Sequence, residues 1–161
     1  MTADGALAVL TLLRGADVWI AGGWGIDALV GKQTRPHRDL DLAHRADHEP
    51  RVIEALAAAG FTETLDQRPV RFVMARPSGE SVDLHPLVFA PDGSAVQSSH
   101  DPDEPFRYPA DCFTAGTIGG ERVPCLSAAQ QVAFHQGYEP AGHDRHDMAL
   151  LRETFGIATH F

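Results

Sequence analysis

The chain has 161 residues, 43% of them hydrophobic, and a formal net charge of -9 at pH 7. This length supplies one hydrophobic core and predicts a single domain, 1–161. Nucleic-acid grooves bind phosphates through Lys and Arg, and the excess of acidic residues argues against such a groove. A small cationic partner fits the charge better, although acidic surfaces also arise simply because charge keeps proteins dissolved.

No apolar run approaches the roughly 18 residues of a membrane span, and the N-terminus lacks the features of a signal peptide. We therefore expect a cytoplasmic protein without a membrane partner. The two cysteines, Cys112 and Cys125, are too few for a disulfide framework and are not spaced as metal ligands, so we expect both to be reduced and buried.

The first half of the chain alternates between helical and strand-like patterns. Apolar spacing predicts a helix over 3–16, a strand over 17–22 that runs into two glycines, and a short helix over 24–31. Alternating charged and apolar residues predict a half-buried strand over 38–44. A capping Asp47, an early Pro and a terminal Gly predict a helix over 47–60.

The second half contains two predicted hairpins and two helices. Residues 70–76 and 81–89 form the first hairpin, and 113–118 and 121–126 form the second. A turn-rich stretch over 90–110 predicts a long surface loop. Helices over 127–138 and 143–156 follow. The prediction is a mixed α/β core over about 1–126 with a helical part over about 127–161.

Two familiar motifs match this chain only in part. Residues 23–28 satisfy the G-x-G-x-x-A dinucleotide fingerprint, but the helix that follows is too short for a Rossmann crossover. The tripeptide over 37–39 begins like a kinase catalytic loop, yet His44 stands where that loop needs a magnesium-binding Asn. We favour neither interpretation.

Asp39 and Asp41 are two residues apart in a predicted strand, so both should project to the same side. Paired carboxylates repel unless a cation lies between them, and Mg²⁺ prefers such ligands together with phosphate oxygens. The alternative is an edge strand with a solvated acidic face. Ser81, Asp83 and His85 form a second same-face set, and a neighbouring strand would bring Asp83 to the first two carboxylates.

Three converging carboxylates can hold two Mg²⁺ ions for a displacement at phosphorus. Gly22 and Gly23 lie between strand and helix, where close backbone approach and a helix N-terminus suit polyphosphate. Arg35, His37 and Arg38 add positive charge nearby. A tight turn is the alternative role for the glycines, but their order before the two acidic strands favours a nucleotide site.

This order resembles the DNA polymerase β-like nucleotidyltransferase superfamily, and GGWGIDALVGKQTRPHRDLDL is similar to the lincosamide and aminoglycoside 2''-nucleotidyltransferases within it. The similarity continues through VDLHP, GERVPCLS, HQGYEP and HDRHDMALLRETFG. It implies the polymerase β-like fold, a mixed sheet flanked by helices. It also implies Mg²⁺-dependent transfer of a nucleoside monophosphate, AMP from ATP or a group from another nucleoside triphosphate, to a small antibiotic-like hydroxyl with release of pyrophosphate.

The resemblance also implies a role for each site residue. Asp39, Asp41 and Asp83 would bind Mg²⁺, and Asp83 is alternatively the general base. The nucleotide-binding set would be Gly22, Gly23, Trp24, Arg35 and His37. The acceptor-binding set would be His85, His135, Tyr138 and Glu139.

One departure from the family pattern concerns the acceptor. Aminoglycoside-modifying members tend to carry an acid two residues after the third carboxylate, where this chain has His85. This shifts the expectation from polycationic aminoglycosides toward lincosamide-like acceptors. Structural roles remain open for His85, as a hydrogen-bonding histidine, and for Tyr138, as a core residue. The one-turn spacing of His143 and His146 indicates a charged helix start rather than zinc.

Two other functions stay as alternatives. One is a toxin-like enzyme that modifies tRNA or protein, which the acidic charge disfavours for RNA. The other is a nucleotide-binding regulator without catalysis, which the presence of all three carboxylates disfavours. The preferred base, the acceptor and the choice between monomer and homodimer stay open.

Overall fold

The computed structural model describes all 161 residues, Met1–Phe161. Five helices and nine strands follow one another along the chain. In order they are α1 (Ala3–Leu12), β1 (Val18–Ile20), α2 (Gly22–Val30), β2 (Leu40–Arg45), α3 (Glu49–Ala58), β3 (Thr62–Gln67), β4 (Arg71–Ala75), β5 (Ser81–Phe89), β6 (Ala95–Gln97), β7 (Phe106–Tyr108), β8 (Phe113–Ile118), β9 (Glu121–Leu126), α4 (Ala128–Phe134) and α5 (Gly142–Phe155).

One mixed sheet organises these elements. Seven strands lie in the order β3-β4-β5-β2-β1-β9-β8, and β6 and β7 extend from β5. Strand β2 is parallel to β5, whereas β1 is antiparallel to β2 and parallel to β9. The two predicted hairpins are present as β4–β5 and β8–β9. The structure therefore confirms the predicted mixed α/β class.

Alternating apolar residues determine which face of the two central strands is buried. Leu40 and Leu42 of β2 and Val82 and Leu84 of β5 are completely buried. They pair in register, Leu40 with Val82 and Leu42 with Leu84, and belong to a hydrophobic cluster that also contains residues of α1 and α3. Because successive side chains of a strand point to opposite faces, the residues between them face away from this cluster.

The two C-terminal helices, α4 and α5, pack against α2. Ile26 of α2 forms a buried cluster with Val132 of α4 and with Met148 and Leu151 of α5. Helix α2 is nine residues long and ends at Val30, and the left-handed φ of 81° at Gly31 caps it as predicted. These contacts pack α4 and α5 against α2.

Several boundaries differ from the predictions. Strand β2 begins at Leu40, so Asp39 lies in a bend before it. The carbonyls of His37 and Arg38 accept hydrogen bonds from the Met1 ammonium group, at 2.9 and 3.3 Å, instead of pairing with a strand. Helix α3 is preceded by a 3-10 turn that contains Asp47, and its N-terminal flanking residue His48 donates or accepts no side-chain capping bond.

Three further differences concern segments that are short or lack a clear apolar pattern. The polar, mostly exposed β3 was not predicted, because it lacks the alternation that a half-buried strand shows. The predicted loop over 90–110 contains β6 and β7, each three residues long. Helix α4 ends at Phe134 rather than at residue 138, and Gly137 beyond it has a φ of 80°.

Two composition-based predictions can also be compared with the structure. Cys112 and Cys125 are free and buried, as expected. The helices include none that combines the length and the apolar character needed to cross a bilayer.

Candidate active site

Two carboxylates face each other across the central strands. Asp41 of β2 and Asp83 of β5 are direct register partners, each placed between the buried residues described above. The parallel pairing brings both side chains to the sheet face opposite the main hydrophobic cluster. The predicted approach of Asp83 to the first acidic strand is therefore observed.

The surroundings of Asp83 are unusual for a carboxylate. Its Oδ2 accepts a hydrogen bond from Arg71 of β4, whereas its buried Oδ1 has no hydrogen-bond partner. The Nε2 atom of His85 lies 3.6 Å from Asp41 Oδ1 and 3.7 Å from Asp83 Oδ1. Burial raises the pKa of Asp83, and although His85 and Arg71 oppose this effect, they do not reverse it.

Asp39 occupies a different position from the one that strand alternation predicts. It lies in the bend before β2 and outside the tight group of ligand atoms from Asp41, Asp83 and His85, which lie within 4.8 Å of one another. Burial raises the pKa of Asp39, and the negative charge of Asp41 adds to this effect. The two aspartates therefore interact electrostatically, as a cation-binding pair would.

A polar cleft of about 520 Å³ opens beside Asp39 and Asp41. Its lining residues are Gly22, Gly23, Trp24, Arg35, Pro36, His37, Arg38, Asp39, Asp41, His135, His143, Asp144 and Asp147. The N-terminus of α2 opens into this cleft, and its free N–H groups favour an anion there. All five residues predicted to bind nucleotide line this one cleft.

Neighbouring side chains approach the two glycines at the start of α2 so closely that a Cβ atom has no room there. Gly22 has a φ of 57°, and a Cβ atom on it would lie 2.2 Å from Asp41 Oδ2. A Cβ atom on Gly23 would lie 2.4 Å from Arg35 Nη2 and 2.5 Å from His37 Nδ1. A Cβ atom at either position would therefore displace side chains that line the polar cleft.

The two basic groups beside Gly23 are held by aspartates. Arg35 donates two hydrogen bonds to Asp147 of α5, at 2.9 and 2.6 Å, and this pairing raises its pKa. His37 Nε2 lies 2.5 Å from Asp27 Oδ2 of α2, so its Nδ1 atom faces Gly23. The Trp24 ring packs 4.7 Å from the imidazole ring.

An aromatic cleft of about 240 Å³ lies on the other side of Asp41. Its lining residues are Ala21, Gly22, Asp41, His85, Gln97, Phe106, Tyr108, Gln131, Phe134 and His135. Asp41 is the only carboxylate among them. Gly22, Asp41 and His135 belong to both clefts, so the two clefts meet at Asp41, whereas Asp83 lines neither of them.

A hydrogen-bond chain fixes the orientation of His85 in the aromatic cleft. Gln97 Nε2 donates to the Val70 carbonyl at 2.9 Å and lies 3.0 Å from His85 Nδ1. Tyr108 donates to Gln97 Oε1 at 2.5 Å. Because a carbonyl can only accept, the amide presents N–H to His85, whose Nδ1 must be the acceptor. The network thus assigns the proton to Nε2, so His85 offers the carboxylates a donor and not a metal-binding lone pair.

Of the three predicted acceptor residues that follow α4, only one lines a cleft. His135 lines both clefts, and its Nδ1 lies 2.7 Å from the Gln131 carbonyl. Tyr138 packs against Phe161 with ring centroids 5.7 Å apart, and the side chain of Glu139 is 92% exposed. Neither of these two lines a cleft, so their contact with an acceptor stays a prediction.

The two histidines at the start of α5 face different partners. His143 lines the polar cleft, with Nε2 3.6 Å from Asp144 Oδ1. His146 Nε2 lies 3.2 Å from Thr34 Oγ1. The capping bond at this helix end comes from Asp144, which accepts from the Ala141 N–H at 2.8 Å.

A comparison with protein families identifies the family of this chain. The model of the aminoglycoside-2''-adenylyltransferase family matches residues 6–151. The chain belongs to this family. The predicted resemblance is therefore confirmed, and so is the prediction of a nucleotidyltransferase.

Individual relatives of this adenylyltransferase family support the assignment. A lincosamide resistance protein from Staphylococcus haemolyticus is 32% identical over 134 residues, which are 83% of each chain. A 2''-aminoglycoside nucleotidyltransferase from Klebsiella pneumoniae is 30% identical over 71% of this chain and 60% of its own length.

Solved structures show that the family fold is present. The lincosamide adenylyltransferase LnuA with lincomycin bound has a TM-score of 0.84 and 30% identity, and the match covers 94% of this chain and 97% of that one. The aminoglycoside enzyme ANT(2'')-Ia with adenylyl-2''-tobramycin has a TM-score of 0.74 at 20% identity, over 96% and 91% of the two chains. The polymerase β-like fold is thereby confirmed.

Several residues of the candidate site were not predicted from the sequence. Gln97, Phe106 and Tyr108 fall in the segment predicted to be a loop, although its aromatic pair within a polar stretch was an available signal. Asp27 and Arg71 were also missed. Asp27 is an acidic residue in the middle of a largely apolar helix, a pattern that indicates a buried partner.

Proposed function

We propose that this protein catalyses Mg²⁺-dependent transfer of AMP from ATP to a hydroxyl of a small antibiotic-like acceptor, with release of pyrophosphate. The observation that carries the proposal is the meeting of the two clefts at Asp41, directly across from Asp83. A donor in the polar cleft and an acceptor in the aromatic cleft would meet at these carboxylates. This arrangement supplies the proximity that a group transfer needs.

The residues present fit a divalent metal. Asp83 Oδ1 is a buried oxygen without a partner, and such an atom is costly unless a ligand or cation satisfies it. Asp41 faces it in register, and Asp39 interacts with Asp41. Asp39 and Asp41 would hold Mg²⁺, for which two ions are expected, and the acceptor hydroxyl would satisfy Asp83 Oδ1. The metal would neutralise phosphate charge during transfer.

The polar cleft would bind the nucleotide. The N-terminus of α2 offers free N–H groups, and Gly22 and Gly23 allow phosphate to approach the backbone. Arg35 and His37 face the same space and are fixed by their aspartate partners. Trp24 completes the nucleotide-binding set on the cleft wall.

Asp83 is the group that we assign as general base. The acceptor hydroxyl would lose its proton to the unpaired Oδ1 of Asp83, and its oxygen would form the new bond to the α-phosphorus. The bond from that phosphorus to the bridging oxygen would break, so pyrophosphate leaves with the electron pair. A raised pKa suits Asp83 to accept this proton, and Arg71 holds its other oxygen in place.

The aromatic cleft favours a small acceptor with few charges. Phe106, Tyr108 and Phe134 provide apolar area, and Asp41 is its single carboxylate. His85 presents a neutral donor where a carboxylate would anchor an ammonium group. The similarity to a lincosamide resistance protein supports the same ranking. We therefore place lincosamide-like monocations above aminoglycoside polycations as acceptors.

Incubation of the purified protein with Mg-ATP and either lincomycin or tobramycin tests the proposal. We expect mass spectrometry to show one adenylate added to lincomycin and pyrophosphate in equal amount. Asp41→Asn should lower the rate at least about 100-fold while circular dichroism stays unchanged, because the carboxylate shared by both clefts is neutralised. Asp39→Asn should act in the same direction.

Three results would count against parts of this proposal. Adenylation of tobramycin but not lincomycin would overturn the acceptor ranking. Near-native rates in both aspartate variants would refute the metal assignment. Labelling of RNA or protein without modification of any drug would refute the small-acceptor function itself.

A further inference from the structure

One polar side chain at the aromatic cleft has no partner of its own. Gln131 of α4 is completely buried, and neither its Nε2 nor its Oε1 atom makes a hydrogen bond. Buried amides are nearly always paired in folded proteins, because a lost hydrogen bond to water is otherwise not replaced. Gln131 therefore calls for a partner that the protein chain itself does not provide.

The backbone around Gln131 fixes where its side chain lies. Its N–H donates to the Ser127 carbonyl at 3.0 Å, and its carbonyl accepts from His135 Nδ1 at 2.7 Å. A Cβ atom on Gly25 would lie 2.3 Å from Gln131 Nε2. The side chain thus extends over α2 at a point where only glycine leaves room, and it forms part of the cleft wall.

The neighbouring glutamine shows the ordinary arrangement. Gln130 is 4% exposed, and its Nε2 donates to the Arg107 carbonyl at 2.9 Å. It does not line the aromatic cleft. The two adjacent buried glutamines thus differ in two respects: Gln130 is paired within the protein and lies away from the aromatic cleft, whereas Gln131 is unpaired and lines it.

We infer that Gln131 is a specificity-determining residue that binds an amide-like group of the acceptor. This inference rests on the proposed function. A primary amide offers one donor and one acceptor side by side, and a secondary amide of the ligand complements both. The terminal torsion of a glutamine is soft, so the amide can adjust its orientation to a ligand without backbone movement. The aromatic residues of the cleft then cover the apolar part of the acceptor.

This assignment separates the two drug classes by chemistry. Lincomycin contains a secondary amide, whereas tobramycin contains amines and hydroxyls but no carbonyl. A site built to pair an amide is left with unpaired buried groups when the ligand lacks that amide. Gln131 would therefore add to the preference that His85 creates.

The test compares Gln131→Leu with Gln130→Leu in steady-state kinetics. Gln131→Leu removes both amide atoms at similar volume, and we expect the KM for lincomycin to rise about tenfold or more. The KM for Mg-ATP should stay within about twofold of wild type, and the melting temperature should not fall, because an unpaired polar group is removed. Gln130→Leu should lower the melting temperature and leave both KM values within about twofold.

The outcomes distinguish this inference from the proposed function. An unchanged KM for lincomycin in an active Gln131→Leu enzyme would overturn the inference alone. Equal increases in both KM values with a lower melting temperature would show a structural role and would also overturn it. A wild-type enzyme that modifies tobramycin but not lincomycin would contradict the amide assignment. A wild-type protein that modifies neither drug would refute the proposed function and this inference together.

Discussion

Replacing Gly22 by alanine tests whether the glycine turn exists to accommodate Asp41. Alanine at a φ of 57° costs about 1–2 kcal/mol, because its Cβ crowds the following carbonyl in the left-handed region. The Cβ would also lie 2.2 Å from Asp41 Oδ2, whereas ordinary contacts begin at 3.4 Å. The carboxylate must therefore move by about 1.2 Å, and a displacement of this size at a catalytic group costs about 100-fold in rate.

Gly156 provides the matched control for this substitution. It has a φ of 64° and no atom within 4 Å of its added Cβ, and it follows α5 at the helix end. Gly156→Ala should therefore show the conformational cost without the displacement of a carboxylate. For a chain of this size, 1 kcal/mol corresponds to about 2–4 °C in melting temperature.

The assay is adenylation of lincomycin, measured alongside thermal unfolding. We expect Gly22→Ala to lose about 100-fold or more in kcat/KM, and Gly156→Ala to stay within about twofold of wild type. Both variants should lose a few degrees in melting temperature. Near-native turnover in a folded Gly22→Ala protein would refute the reasoning, because it would show that Asp41 can move without consequence.

The remaining predictions concern a base, a phosphate contact and a buried histidine. Asp83→Asn should bind Mg-ATP in calorimetry with near-native affinity yet lose at least about 100-fold in kcat; an equal loss of affinity would assign Asp83 to metal binding alone. Asp27→Asn should raise the KM for Mg-ATP about tenfold, because His37 loses a charged partner; an unchanged KM would contradict this role. Burial lowers the pKa of His44 to about 4 from its ordinary 6.5, so unfolding takes up a proton between these values. His44 should therefore not lower the free energy of unfolding above pH 6.5 but should lower it by up to about 3 kcal/mol as the pH drops to 4. In urea titrations at several pH values, His44→Leu should make this decline shallower. A decline equal to that of wild type would refute the prediction.

The sequence could predict those parts of the site that depend on strand alternation. Leu40, Asp41 and Leu42 show a period of two, and so do Val82, Asp83 and Leu84, so one register brings the carboxylates together. Asp39 follows the same pattern but lies outside the strand, next to two carbonyls that accept hydrogen bonds from Met1. Such a long-range contact has no local signal.

The aromatic cleft could not be predicted from the hydrophobic pattern of the sequence, for a different reason. Strands β6 and β7 are three residues long, which is too short for alternation to show, and they lie among the Pro and Gly residues typical of loops. The position of Gln97 depends on Val70, His85 and Tyr108. Gln131 looks like any polar helix residue until its unpaired amide is located in space.

The charges of the polar cleft bear on how a nucleotide can bind there. Two arginines and four aspartates line it. Arg35 is already paired with Asp147, and His37 with Asp27, so Arg38 is the only lining arginine without an aspartate hydrogen-bonded to it. The cleft therefore has no net positive charge to offer a triphosphate, and the α2 N-terminus supplies only about half a charge.

Because the polar cleft has more negative than positive side chains, binding of a triphosphate there would depend on a metal ion shared with the carboxylates. Burial raises the pKa of Asp39, and repulsion by Asp41 raises it further. A bare triphosphate entering beside these two carboxylates would add to the repulsion. Divalent cations bound to the nucleotide would lie between these charges, so that the two carboxylates and the triphosphate would all be attracted to the metal instead of repelling one another. Asp39 and Asp41 would thus disfavour a free polyanion and select the metal-bound donor. The aromatic cleft, with Asp41 as its single carboxylate, would select the acceptor by shape and hydrogen bonding.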